Sequence, residues 1–221
     1  MNTHTHHHLQ SDPRINFFDL QAPGWERNAA KNAYNLSRLD ELRARLGLRP
    51  SIDVVEVGCG TGLVTGWLVN CVQPGRVLAV DFSPAMLAQA QAKRLAAEFR
   101  CLDICHEAPA AGAFDLAFCF QVFPHFRDQT AALRNLARAL KPGGRLVVVH
   151  LVGRAQLNEF HRGLAEPVHQ DRLPAPHEWP ALLATAGLEL VRCEDRADLF
   201  LVEAKCGWVN QKGRMQCDKD Q

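Results

Sequence analysis

The sequence predicts an α/β fold: a doubly wound, mostly parallel sheet that ends in an antiparallel hairpin. Short apolar, β-branched runs alternate with helical patterns between residues 52 and 151, an order that requires parallel strands with helices on both faces. The first run, Val54-Val55-Glu56-Val57, passes directly into glycines at 58, 60 and 62 and then into a helix-forming stretch. Beyond Gly187 the pattern changes to two apolar runs, 188–193 and 199–204, joined by the charged turn 194–198.

Taken in order, residues 1–15 carry His4, His6, His7 and His8 in polar surroundings and read as a disordered tail outside the fold. Residues 16–47 bring Phe17, Phe18 and Trp25, then Leu36, Leu39, Leu42 and Leu46 at three- and four-residue spacing. That stripe marks an amphipathic helix, which would preface the sheet as a lid. A strand at 52–57, a helix at 62–70, a strand at 76–81 and a helix at 83–95 follow, the second helix capped by Ser83 before Pro84. Strands at 98–102 and 114–120, a helix at 127–140 and a strand at 145–151 complete the alternation. Residues 152–176 read as a long connection without structure of its own, of the kind that shapes an acceptor pocket. A helix at 177–186 precedes the hairpin, and 206–221 read as a polar tail. One domain over residues 16–205 is the expectation.

Composition narrows the function. With 25 Lys plus Arg against 24 Asp plus Glu, the formal net charge is +1, and no run of like charges supplies a nucleic-acid footprint. Eight cysteines are scattered with no Cys-x-x-Cys pair, as free thiols of a reducing compartment would be. No apolar run approaches the roughly 18 residues of a membrane span, so membrane insertion is not expected and a cytoplasmic enzyme is.

The chemistry concentrates at strand ends. Glycines at 58, 60 and 62 allow positive φ and close approach of backbone to a ligand, with helix N-H groups facing it. Asp81 ends the next strand, where a carboxylate can hold a ribose. Together they indicate a nucleoside-type ligand.

Four stretches then carry a likeness: Glu56-Val57-Gly58-Cys59-Gly60-Thr61-Gly62, Val80-Asp81-Phe82-Ser83, Cys101-Leu102-Asp103-Ile104 and Leu140-Lys141-Pro142-Gly143-Gly144-Arg145-Leu146. Over residues 17–205 or so the chain resembles the class I S-adenosylmethionine-dependent methyltransferases, in the group of quinone and small-molecule methylases. The resemblance implies a Rossmann-like sheet of seven strands, S-adenosylmethionine as cofactor and a small-molecule acceptor. By it, Glu56 meets the methionine ammonium, Gly58, Gly60 and Gly62 admit the backbone, and Asp81 accepts from the ribose hydroxyls. Asp103 and Ile104 meet the adenine edge, Phe82 and Met86 its faces, and Phe120 and Gln121 the methionine end.

Catalytic candidates lie after the fourth and fifth strands, at His125 and His150. His150, His161 and His169 could converge on an anion or a metal, but their wide spacing fits no compact metal motif and no metal is assigned. A nicotinamide site would place its third glycine at 63, where Leu63 stands. The competing readings are a non-catalytic scaffold or regulatory subunit that binds the same cofactor, and aminopropyl transfer or nicotinamide chemistry on a related fold.

Overall fold

Seven strands lie in the order β3-β2-β1-β4-β5-β7-β6, in a computed structural model that describes residues 12–207. The strands are β1 (Val54–Val57), β2 (Val77–Asp81), β3 (Glu98–Cys101), β4 (Phe114–Phe120), β5 (Leu140–His150), β6 (Leu188–Arg196) and β7 (Leu199–Cys206). β1 to β5 pair in parallel, and β7 runs antiparallel between β5 and β6. The expected fold class is borne out. The His-rich tail and the segment after 207 lie outside the described residues.

Alternation along the strands divides the core. Val55, Val57, Ala117, Cys119, Leu146 and Val148 face one side, where α5 (Gln129–Ala139) and α7 (Trp179–Ala184) pack through Leu133, Leu136, Trp179 and Leu183. Val54, Leu116, Phe118, Val147 and Val149 face the other, against α2 (Ala29–Leu42) and α3 (Leu63–Val72) through Leu39, Leu42, Val64 and Leu68. Strands buried on both faces are continuous apolar runs, as the sequence shows.

The helix starts follow local chemistry. Asp12, Asn28, Ser83 and Asp128 each accept a backbone N-H two or three residues on, opening α1 (Pro13–Gln21), α2, α4 (Pro84–Ala92) and α5. Pro13 and Pro84 stand at first helical positions, where the missing N-H costs nothing.

Four expectations are corrected. Residues 13–15, assigned to the tail, form the first turn of α1 because Asp12 caps it. The stripe read from Leu36 to Leu46 belongs to a helix that starts earlier, at Ala29 under its Asn28 cap, and ends at Leu42. The 152–176 connection holds α6 (Arg154–Arg162), whose N-terminus is pinned where the Arg154 N-H donates to Asp195 Oδ1 at 2.9 Å. β5 begins at Leu140 rather than 145, with a register shift opposite Phe114 and Leu116 absorbing Pro142 and the glycines.

Candidate functional site

The C-terminal ends of β1, β2, β4 and β5 open on one cavity of about 590 Å³. Sheet order puts it there: β1 lies between β2 and β4, so the loops leaving β1 and β4 turn to opposite sides and a crevice remains.

The floor is the glycine loop. Gly58, Gly60 and Gly62 have φ of 71°, 55° and 82°, a left-handed backbone that a β-carbon would strain. The surroundings of Gly58 and Gly60 differ. A β-carbon on Gly58 would fall 2.2 Å from Cγ2 of Val122, and one on Gly60 would sit 3.4 Å from Nε1 of Trp25. The loop is held by its own N-H groups, since Gly60 donates to Asp81 Oδ2 at 2.8 Å.

Two buried carboxylates flank this loop on the tips of neighbouring strands. Glu56 is 2% exposed and accepts the Thr65 hydroxyl at 2.6 Å. Burial, with Asp81 nearby, pushes it up to about 8. Asp81, 6% exposed, takes N-H groups from Gly60 and Ser83 and is raised by burial to about 6. Among the described residues neither acid has a basic partner within ion-pair distance, and both line the cavity, an arrangement suited to a bound cation and to hydroxyl donors.

Further round, Asp103 accepts from the Cys105 N-H at 2.8 Å and from His106 Nδ1 at 2.7 Å. Ile104, 3% exposed, is fixed through its carbonyl by Asn135 Nδ2 at 2.8 Å. Phe82, Met86, Phe120 and Gln121 also line the cavity. Gln121 adopts φ 53° without being glycine, a strained turn held where its N-H donates to Val149 O at 2.9 Å.

The N-terminal segment forms a wall, as a lid would. Asp19 accepts from Ser83 Oγ at 2.5 Å and from the Ala85 N-H at 3.1 Å, joining α1 to the start of α4. Glu26 takes the Thr61 hydroxyl from the glycine loop and pairs with Lys93 at 2.5 Å. Phe18 is both core and wall: its ring lies 5.7 Å from Phe82 and 5.1 Å from His125.

Three imidazoles meet at the opposite end. His125, His150 and His161 line the cavity, whereas His169 is turned away beside Glu166 at 3.1 Å. The triad of His150, His161 and His169 entertained from sequence therefore does not assemble, and His125 stands in place of His169. His150 is 1% exposed and burial, reinforced by His125 and His161, drives it down to about 3. His125 Nδ1 lies 2.7 Å from Asp171 Oδ2, and His161 Nδ1 lies 2.9 Å from the Asp171 carbonyl. Arg14 binds Asp171 Oδ1 at 3.3 Å and Asp12 Oδ1 at 3.1 Å. Sequence reasoning gave Asp12, Arg14 and Asp171 no role, since a helix cap and a loop acid bear no mark of pairing across 157 positions.

Comparisons with known proteins bear on the domain and its fold. Residues 55–148 match the family model described as methyltransferase domain. The bifunctional biotin biosynthesis protein BioCD of Bordetella avium is 33% identical over 172 residues, 77% of this chain and 36% of that protein. Trans-aconitate 2-methyltransferase of Azoarcus sp. is 34% identical over 146 residues, 66% of this chain and 53% of its own length. The chain thus spans between a third and about half of these curated relatives. Among solved structures, the DhpI complex with S-adenosylhomocysteine superposes with a TM-score of 0.67 at 22% identity over 93% of this chain and 99% of that one, a likeness of fold.

Proposed function

We propose that this chain, a class I S-adenosylmethionine-dependent methyltransferase by its domain at residues 55–148 and by its fold, methylates a small organic acceptor held between α2, α6 and the end of β5. One observation carries the reading: two buried carboxylates without basic partners among the described residues, Glu56 and Asp81, flank three left-handed glycines on one cavity. A cofactor with an ammonium and a ribose meets both acids. S-adenosylmethionine supplies an activated methyl, so the protein has mainly to hold the nucleophile in line and keep water out.

In this reading Asp81 accepts from the ribose hydroxyls with the lone pairs its backbone donors leave free, and Glu56 meets the ammonium. The raised acids then ionise as the ligand enters. Asp103 and Ile104 present the adenine edge, Phe82 and Met86 bound its faces, and Phe120 and Gln121 flank the methionine end. The glycine loop at Gly58, Gly60 and Gly62 keeps the backbone low beneath the ligand. His125, tied to Asp171, is the proton acceptor; His150, held neutral and weakly basic by burial, lines the acceptor end.

The relatives' names point to different acceptors, so the acceptor is sought in the cavity and not in the relatives. Calorimetric titration with S-adenosylhomocysteine, with NAD as control, tests the cofactor. Micromolar or tighter binding of the first alone, about 8 kcal/mol, is expected. Binding that never leads to methyl transfer across an acceptor panel would favour the scaffold reading instead.

A further inference from the structure

Asp171 anchors two imidazoles at once, one through its side chain and one through its main chain. The partners fix the tautomers. A carboxylate bound to Arg14 is ionised and only accepts, so His125 must carry its proton on Nδ1 and donate it to Oδ2. A carbonyl oxygen likewise only accepts, so His161 is also protonated on Nδ1. When neutral, both rings therefore keep an unprotonated Nε2, and among the described residues the hydrogen bonds of both rings run through Nδ1 alone. The ring centroids are 5.1 Å apart, both rings line the cavity, and Asp171 stands behind them outside its walls.

We propose that His125 and His161 form a paired lone-pair cradle, positioned by Asp171, whose acceptor is a neutral hydroxyl compound such as a phenol or alcohol and not a carboxylate. The inference rests on the methyl-transfer reading for its reaction, though not for its geometry. A hydroxyl can donate to one Nε2 while the second ring fixes a neighbouring donor; a carboxylate would set its own lone pairs against two others. Arg127 lines the same cavity, but its guanidinium already has partners, with Nε 3.9 Å from Asp12 Oδ2 and Nη2 3.4 Å from His106 Nε2. His161, 3% exposed and lowered by burial, stays the neutral partner.

The step balances with S-adenosylmethionine, the methyl donor of the proposed reading, as co-reactant. As the new O–C bond forms, the C–S bond breaks and its electron pair remains on sulfur, giving S-adenosylhomocysteine; the hydroxyl proton passes to Nε2 of His125. The imidazolium so formed faces the ionised Asp171, which stabilises it without taking the proton.

Asp171 holds its place through α6. Asn158 binds Leu173 in both directions, N-H to Oδ1 at 2.8 Å and Nδ2 to O at 3.1 Å, so the segment carrying Asp171 lies fixed against the helix that supplies His161.

Long-range ¹H–¹⁵N correlation spectra of the uniformly labelled full chain near neutral pH provide the test, free and with S-adenosylhomocysteine. Both rings are expected as Nδ1-H tautomers, and an Nε2-H on either one overturns the cradle. Asp171→Asn should shift the His125 tautomer and leave His161, bound to the main chain, unchanged; equal response or none from both counts against the assignment. Excess phenol should move both Nε2 resonances while benzoate does not. The reverse preference, or silence towards phenol, rejects the acceptor class. Failure of the chain to bind S-adenosylhomocysteine would instead remove the methyl-transfer reading and leave the tautomer result standing.

Discussion

Gly58 and Val122 interlock: the β-carbon that Gly58 lacks would fall 2.2 Å from Cγ2 of Val122. The glycine loop after β1 and the exit of β4 therefore share one space, and the loop cannot rise without displacing the turn that leads to His125. Gly58→Ala should destabilise the fold by about 1–3 kcal/mol from overpacking and left-handed strain together. Adding Val122→Ala clears the clash but leaves the strain. Urea denaturation of the two single variants and the double variant should show partial recovery in the double; strict additivity would mean the two residues do not compete for that space.

Glu56 makes stability depend on pH. Its folded value stands near 8 against 4.5 for a free glutamate, so between these limits the unfolded chain releases a proton that the folded chain keeps. Stability of the ligand-free protein should fall as pH rises through that window and level off above it. Glu56→Gln should match wild type below pH 4.5 and melt higher than wild type above pH 8. Scanning calorimetry across the range checks this, and parallel curves for the two proteins would contradict it.

Cofactor binding should release protons for the same reason. With Asp81 raised to about 6 and Glu56 to about 8, a ligand that prefers both ionised lowers both values, so affinity should climb with pH and flatten beyond 8. Titrations in buffers of different ionisation heat measure the released protons directly. Asp81→Asn should weaken S-adenosylhomocysteine binding by about 1–3 kcal/mol, through loss of charge-assisted hydrogen bonds, with the fold retained.

Asp19 ties the N-terminal wall to α4 through Ser83 and Ala85. Asp19→Ala should lose about 1–2 kcal/mol of stability from the missing cap contacts. Protection of α1 amides from hydrogen exchange should drop while that of β1 and β4 stays; a uniform drop would place Asp19 in the global core instead.

The sheet was legible because its strands are buried on both faces, which leaves continuous apolar runs such as Leu146-Val147-Val148-Val149 that no helix face reproduces. Gly58, Asp81 and Asp103 were legible for another reason: each stands at or just after the end of a strand, and position along the chain then fixes position at the crevice. Helix α6 was hidden because Gly153 at its cap offers no side-chain signal and its mean composition is polar. Asp171 was hidden more deeply. Its partners are Arg14 and His125, and nothing local to residues 168–173 distinguishes an anchor for two imidazoles from an ordinary loop acid.

The walls of the cavity also divide by origin. The glycine loop and the carboxylates belong to residues 55–148, whereas Lys31, Tyr34, Gln156 and Phe160 come from α2 and α6, outside it. Two segments, one before β1 and one after β5, thus supply cavity wall from outside the matched domain. In the proposed reading, a chimera that exchanges both segments for those of a relative and keeps residues 55–148 should change the acceptor while S-adenosylhomocysteine binding persists.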